Sequence, residues 1–93
     1  MKADNLYDMI REELWDKHSI SALLFLFDGG RELNFLYKNH PFGIFRHEKK
    51  WILSGETIDD QEFVTPWDLI SKGQIDGEKF FAIWNEIEIK VLF

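Results

Sequence analysis

Residues 21–39, SALLFLFDGGRELNFLYKN, contain two runs of strand-forming residues on either side of Gly29-Gly30. Two consecutive glycines readily adopt the positive φ angles that a tight hairpin turn requires. With these glycines as the turn, six apolar residues share one face, namely Ala22, Leu24, Leu26, Leu33, Phe35 and Tyr37. The stretch predicts an antiparallel hairpin between residues 21–28 and 31–38. Its first strand is apolar on both faces, so we expect it to be central in a sheet.

The next stretch, HPFGIFRHEKKWILS (residues 40–54), predicts a second hairpin with its turn near residues 48–49. This register places Arg46 directly opposite Trp51. A guanidinium over an indole ring is a cation–π contact, worth about 0.5–1 kcal/mol at an exposed site. Arg46 and Trp51 are therefore candidate contact residues on an edge hairpin of the sheet.

Helical patterns precede and follow this region. Residues 4–17 carry apolar side chains at four-residue spacing, and the Asp-Asn pair at their start can cap a helix. Residues 65–73, TPWDLISKG, have a capping threonine, a proline at the first helical position and a glycine past the end. Residues 77–87 show a helical apolar stripe. Residues 88–93 alternate like a strand, and both alternatives stay open there.

The 93 residues fit one α+β domain covering residues 1–93, with an antiparallel four-stranded sheet and with N-terminal and C-terminal helices packed against it. A fifth strand is added if residues 88–93 are extended. Residues 55–64 are rich in acidic side chains and predict an exposed loop, with a short strand at residues 62–64 as an alternative. Nine Phe, four Trp and two Tyr supply the large apolar surfaces that a small core needs.

Charge and composition exclude several classes. The net charge is −6, and residues 55–93 alone carry a net charge of −6, which disfavours non-specific nucleic-acid binding. The longest apolar run, residues 20–27, is shorter than the roughly 20 residues of a transmembrane helix. No cysteine and no signal peptide are present, so we expect a cytoplasmic protein that does not enter a membrane.

No catalytic or metal-binding motif is present in the sequence. His40 and His47 stand seven residues apart, whereas metal sites usually join three or more convergent ligands. The acidic stretch 56–62 lacks the order of a calcium-binding loop. Ser54, His47 and Asp59 form a hydrolase-like set of residue types, but any soluble domain offers such a set. We therefore expect no metal and no cofactor.

The leading hypothesis is a small acidic non-catalytic protein that acts by protein–protein interaction, such as an immunity-type or antitoxin-type inhibitor of a basic protein partner. One alternative is a small-molecule-binding or enzymatic α+β domain. Another is a homodimeric regulatory or structural protein, joined through an edge strand or the second face of residues 21–28. The candidate partner-binding residues are Arg46, Trp51, Glu56, Asp59, Asp60, Glu62 and Trp67.

Overall fold

The computed structural model describes residues 6–93, except for the side chain of Tyr7. Within these residues the helices are α1 (Leu6–Lys17), α2 (Ile20–Asp28), α3 (Pro66–Lys72), α4 (Phe80–Ile83) and a 3-10 helix (Trp84–Glu86). The strands are β1 (Leu33–Tyr37), β2 (His40–His47), β3 (Lys50–Gly55), β4 (Ile58–Phe63), β5 (Gln74–Ile75), β6 (Glu78–Lys79) and β7 (Glu88–Leu92).

Five strands form one antiparallel sheet in the order β4-β3-β2-β1-β7, and β5 and β6 form a separate two-stranded hairpin. Strands β1 to β4 are a meander, in which each strand pairs with the next one along the chain. Strand β7 returns beside β1, so β4 and β7 are the two edges of the sheet. The predicted α+β fold class is confirmed, and residues 88–92 provide the fifth strand.

The core lies between one face of the sheet, called the inner face below, and the helices. Phe27 of α2 packs on Trp51 of β3 with 5.0 Å between ring centroids, and Phe80 of α4 meets Phe35 of β1 at 5.8 Å. The fully buried side chains come from both layers: Leu14, Leu23, Leu26, Phe27, Leu33, Phe35, Ile44, Leu53, Leu69, Ile70, Ile75 and Phe80. Burial of this apolar surface is the main stabilising contribution to the domain.

Residues 20–28 form a helix, so the hairpin predicted for residues 21–38 is wrong. The Ser19 side chain accepts a hydrogen bond of 3.1 Å from the Ala22 backbone N–H, which caps the helix start. At the other end Gly30 has a φ of 85°, and its N–H donates to a carbonyl of the last turn. The two glycines therefore end a helix instead of turning a hairpin. No helix among residues 6–93 is long and apolar enough to cross a bilayer.

The hairpin of β2 and β3 has the predicted register. Arg46 pairs with Trp51, and the turn lies at Glu48 and Lys49, whose φ angles are 50° and 68°. Two consecutive positive φ angles are the signature of a primed two-residue turn, which matches the twist of the strands it joins. The prediction is confirmed here because turn and strand pattern point to the same register.

The segments after this hairpin agree with the predictions only in part. Residues 58–63 form the edge strand β4, so the prediction of a loop over residues 55–64 is wrong there, and the alternative of a short strand at residues 62–64 covers only the end of β4. Helix α3 is confirmed: the Thr65 hydroxyl accepts from Asp68 N–H at 3.1 Å, and Gly73 follows the last turn. The start of α1, where the N-terminal cap was predicted at Asp4 or Asn5, lies outside the described residues.

The helix predicted over residues 77–87 is confirmed only for residues 80–86, which form α4 and the 3-10 helix, whereas residues 78–79 belong to β6. The chain makes the small β5–β6 hairpin, four residues of α4 and one 3-10 turn before it enters β7. Trp84 lies in the core, as its place on the apolar stripe predicted, with 3% of its surface exposed. Its indole Nε1–H donates to the carbonyl of His18 at 2.6 Å, and its ring lies 5.1 Å from the His18 imidazole. These contacts join the end of α1 to the C-terminal part of the chain.

Candidate binding surface

Arg46 and Trp51 lie together, as the register predicted, but only the arginine is accessible. The Arg46 guanidinium carbon lies 5.6 Å from the centre of the Trp51 ring. Trp51 is only 4% exposed, because its other side packs on Phe27 in the core. A partner at this position would therefore contact Arg46, and Trp51 would support the arginine from beneath.

The four predicted acidic residues lie along one edge of the sheet. Asp59, Asp60 and Glu62 belong to β4, and Glu56 is in the turn that leads into it. All four side chains are exposed. We call these residues the acidic edge. An unpaired strand edge lined with charges resists pairing with other strands, so the charges also protect this edge from aggregation.

Neighbouring groups hold three of these carboxylates in place. Ser54 donates its hydroxyl to Asp60 at 2.6 Å, Lys50 Nζ lies 3.7 Å from a Glu62 oxygen, and His40 Nδ1 lies 3.2 Å from a Glu56 oxygen. Exposed pairs of this kind contribute about 0–1 kcal/mol. They orient the carboxylates without removing them from solvent, so the acidic edge remains a negatively charged surface.

Trp67 continues the acidic edge beyond the end of β4. It lies in the first turn of α3 and is 56% exposed, and Val64 just before it is 71% exposed. An exposed tryptophan next to charged residues is a frequent anchor in protein interfaces. Trp67 and the C-terminal end of β4 therefore form one continuous stretch of chain with both apolar and acidic exposed groups.

The candidate residues do not all share one face of the sheet. Arg46 pairs with Trp51, whose ring faces the helices, so Arg46 lies on the inner side. Glu62 pairs with Ile52, and successive residues of a strand point to opposite faces, so Glu62 lies on the outer face. Glu62 of the acidic edge and Arg46 thus lie on opposite sides of the sheet, so Arg46 is a second position separate from the acidic edge.

The outer face of the sheet carries apolar side chains that the sequence analysis did not single out. Phe45 and Ile52 lie side by side on it, with Leu36 and Val91 nearby. The core that the helices cover does not include Ile52, although this residue is only 5% exposed. Within residues 6–93 the helices contribute their buried side chains to the core on the inner face, so this outer face is left without a helical layer.

A shallow depression crosses the outer face, and we call it the trough. Its floor is a cross-strand row formed by Val91, Asn34, Gly43 and Ser54, and Asp60 of β4 lies just beyond Ser54, whose hydroxyl donates to it. Its volume is about 490 Å³, and its walls are formed by larger side chains, namely Leu36, Pro41 and Phe45. Glycine inside a strand often marks a place where another molecule approaches the backbone. That signal was present in the sequence at Gly43.

The residues considered for chemistry are not assembled into a catalytic or metal site. Among residues 6–93 no group of three or more His, Asp or Glu side chains is arranged to hold a metal ion. The Ser54 hydroxyl is held by Asp60, whereas His47 lies at the far end of β2 opposite Lys50. His18 contacts Trp84 in the helical layer.

The candidate surface thus consists of a charged edge strand that borders a partly apolar sheet face without a helical layer. Both features are exposed, and they meet at Ser54 and Asp60. Comparison of the chain with protein-family models, with curated proteins and with solved structures gave no match.

Proposed function

We propose that this protein is a non-catalytic binding protein that engages a basic protein partner through the acidic edge and the adjoining Trp67. The observation that supports the proposal is the placement of Glu56, Asp59, Asp60 and Glu62 on one exposed edge of the sheet. An immunity-type or antitoxin-type inhibitor is the form of this function that suits a small acidic domain.

The physical roles of the two parts differ. Exposed carboxylates on one edge attract a positively charged surface over a distance of about 10 Å at 0.1 M salt and raise the rate of productive encounter. Val64 and Trp67 offer apolar surface that loses water on contact and slows dissociation. The proposal therefore predicts that salt lowers the association rate more strongly than it raises the dissociation rate.

The test is affinity capture from a lysate of the source cell at low and high salt, with mass spectrometry of the bound protein and kinetics on the purified pair. The double variant Asp59→Lys, Glu62→Lys reverses charge on the acidic edge. The matched control, Glu12→Lys with Asp16→Lys, makes the same change of net charge on exposed residues of α1. We expect at least a tenfold loss of affinity for the first variant, equivalent to about 1.4 kcal/mol, and less than a threefold change for the control.

Equal losses in both variants would mean that only the net charge of the protein matters, and they would remove the acidic edge from the proposal. Failure of the wild-type protein to retain any stoichiometric partner at low salt would contradict the proposed function itself. Thermal melts of both variants are needed beside the capture, because a binding loss is informative only when the domain remains folded.

A further inference from the structure

The dimensions of the trough fit a short extended peptide. The trough crosses the four strands β7, β1, β2 and β3, and Asp60 lies on the next strand, β4. With about 4.8 Å between adjacent strands, the row from Val91 to Asp60 is about 19 Å long. An extended chain rises about 3.3 Å per residue, which corresponds to about six residues over this length. The occupant would cross the strands of the sheet, so it would not extend the sheet as an additional strand.

The centre of the trough accepts an apolar side chain. Gly43 leaves the middle of the floor without a side chain, and Pro41 and Phe45 stand on either side of it along β2. Asn34, opposite Gly43, is exposed, and its amide makes no hydrogen bond within the described residues that would hold it in place. A branched aliphatic side chain entering at Gly43 would meet apolar walls and an amide able to bond its backbone.

The two ends of the trough differ in charge. At the β7 end Lys90 lies 3.1 Å from Glu88, so the two charges compensate each other. Beyond the opposite end, on β4, the hydrogen-bond partner of Asp60 within residues 6–93 is the neutral Ser54 hydroxyl, and Asp59 beside it is exposed. The excess of negative charge at this end favours a lysine or arginine in the occupant.

Charge also decides between a basic partner and a second copy of this chain. A symmetric dimer would place the same surface of two copies against each other. Each copy would then add Asp60 and its acidic neighbours to one interface, and like charges brought together there are unfavourable. A segment of opposite charge compensates them instead.

We infer that the trough binds an extended segment of about six residues from the partner, with an aliphatic side chain over Gly43 and a lysine or arginine beside Asp60. This inference rests on the proposed function, because it assigns to the same basic partner the segment that is recognised. It adds a specificity site on the sheet face to the charged contact at the acidic edge.

The test uses nitrogen-15 NMR of the whole domain with a library of end-capped hexapeptides. Each peptide carries Arg at one end and Val or Leu at a central position, and a matched set carries Glu in place of Arg. We expect Arg peptides to shift the backbone amides of Asn34, Gly43 and Ser54 in a saturable manner. The Glu peptides are expected to bind at least tenfold more weakly.

Two variants locate the site. Gly43→Val fills the trough without changing charge. The φ angle of Gly43 lies outside the left-handed region. A Cβ at this position would lie 3.2 Å from the side-chain oxygen of Asn34, and that side chain can turn toward solvent. His47→Val is the matched control, since it lies on the same strand and face but outside the trough. We expect Gly43→Val to abolish the peptide shifts, Asp60→Asn to weaken binding about fivefold to tenfold, and His47→Val to leave it unchanged.

The outcomes separate this inference from the proposed function. If Gly43→Val captures the protein partner as well as the wild type does, while reversal of the acidic edge abolishes capture, the partner binds at the edge and the trough inference is wrong. The inference is also overturned if no library peptide shifts these amides at millimolar concentration. It is equally overturned if the same amides shift on simple dilution of the free protein, because that result identifies a homodimer.

Discussion

Replacement of Gly55 by alanine tests the packing of the sheet directly. A Cβ on Gly55 would lie 2.1 Å from Cδ2 of Phe42, its partner on β2, so ring and backbone must separate by about 1.3 Å to reach ordinary contact. The ring has little freedom to move, because Phe42 is 4% exposed and stacks on Phe35 at 5.5 Å. Overpacking of this kind costs about 1–3 kcal/mol, partly offset by the roughly 0.5–1 kcal/mol that alanine gains over glycine in a strand. We expect a net loss of about 1–2 kcal/mol.

Thermal and urea unfolding followed by circular dichroism measure this loss. For a domain of this size each kcal/mol lowers Tm by about 4–8 °C, so Gly55→Ala should melt roughly 4–16 °C below the wild type. Gly43→Ala is the matched control, since its Cβ meets only the movable side chain of Asn34, and its stability should be equal or slightly higher. Combining Gly55→Ala with Phe42→Leu should recover part of the loss, because the smaller side chain makes room. A melting temperature for Gly55→Ala at or above that of Gly43→Ala would refute the reasoning.

Ser19→Ala removes the cap of α2 and should lower the free energy of unfolding by about 1 kcal/mol in urea titrations, whereas Ser21→Ala, at the exposed second residue of the helix, should be neutral. Equal stability of the two variants would contradict a capped helix at this position. Trp84→Phe keeps an aromatic ring but leaves the His18 carbonyl without its 2.6 Å donor, so we expect a loss of about 1–2 kcal/mol in the same assay. A fully stable Trp84→Phe would show that this hydrogen bond contributes nothing to the junction.

The largest difference between prediction and structure concerns residues 20–28. An apolar run of eight residues has no period that distinguishes a buried strand from a helix buried on most sides. Gly29-Gly30 suits either a hairpin turn or a helix end, because both need a residue with positive φ. Ser19, one position before the run, is the local signal that favours the helix, and it was not weighed against the glycines.

The β2–β3 hairpin was predictable because all of its determinants are close together in the sequence. The register of Arg46 with Trp51 needs only a two-residue turn and alternating side chains. Strand β4 was missed because its charged residues resemble a solvated loop, although edge strands commonly carry charges for protection. The exposure of its acidic residues was nevertheless anticipated.

The trough depends on pairings that no single segment contains. Its floor joins residues from β7, β1, β2 and β3, and the pairing of Asn34 with Val91 links positions 57 residues apart. Periodicity within one strand shows that alternate residues share a face, but it does not show which strands lie side by side. The sequence therefore shows that β2 contains a glycine at position 43, but it does not show that this glycine lies in the trough.

The position of β7 beside β1 also has a consequence for the order in which the domain folds. The meander of β1 to β4 closes only short loops, whereas the pairing of β7 with β1 closes a loop of more than fifty residues and has the larger entropic cost. Until β7 docks, β1 is an open strand edge with its buried side chains incompletely covered, and such an edge can pair with another chain. Two backbone hydrogen bonds between Glu32 and Phe93, of 2.8 and 3.3 Å, continue the pairing of β7 with β1 into the segment that connects α2 to β1. These hydrogen bonds belong to the same late closure. Chaperone demand and aggregation during synthesis should therefore depend on how quickly residues 88–92 reach β1.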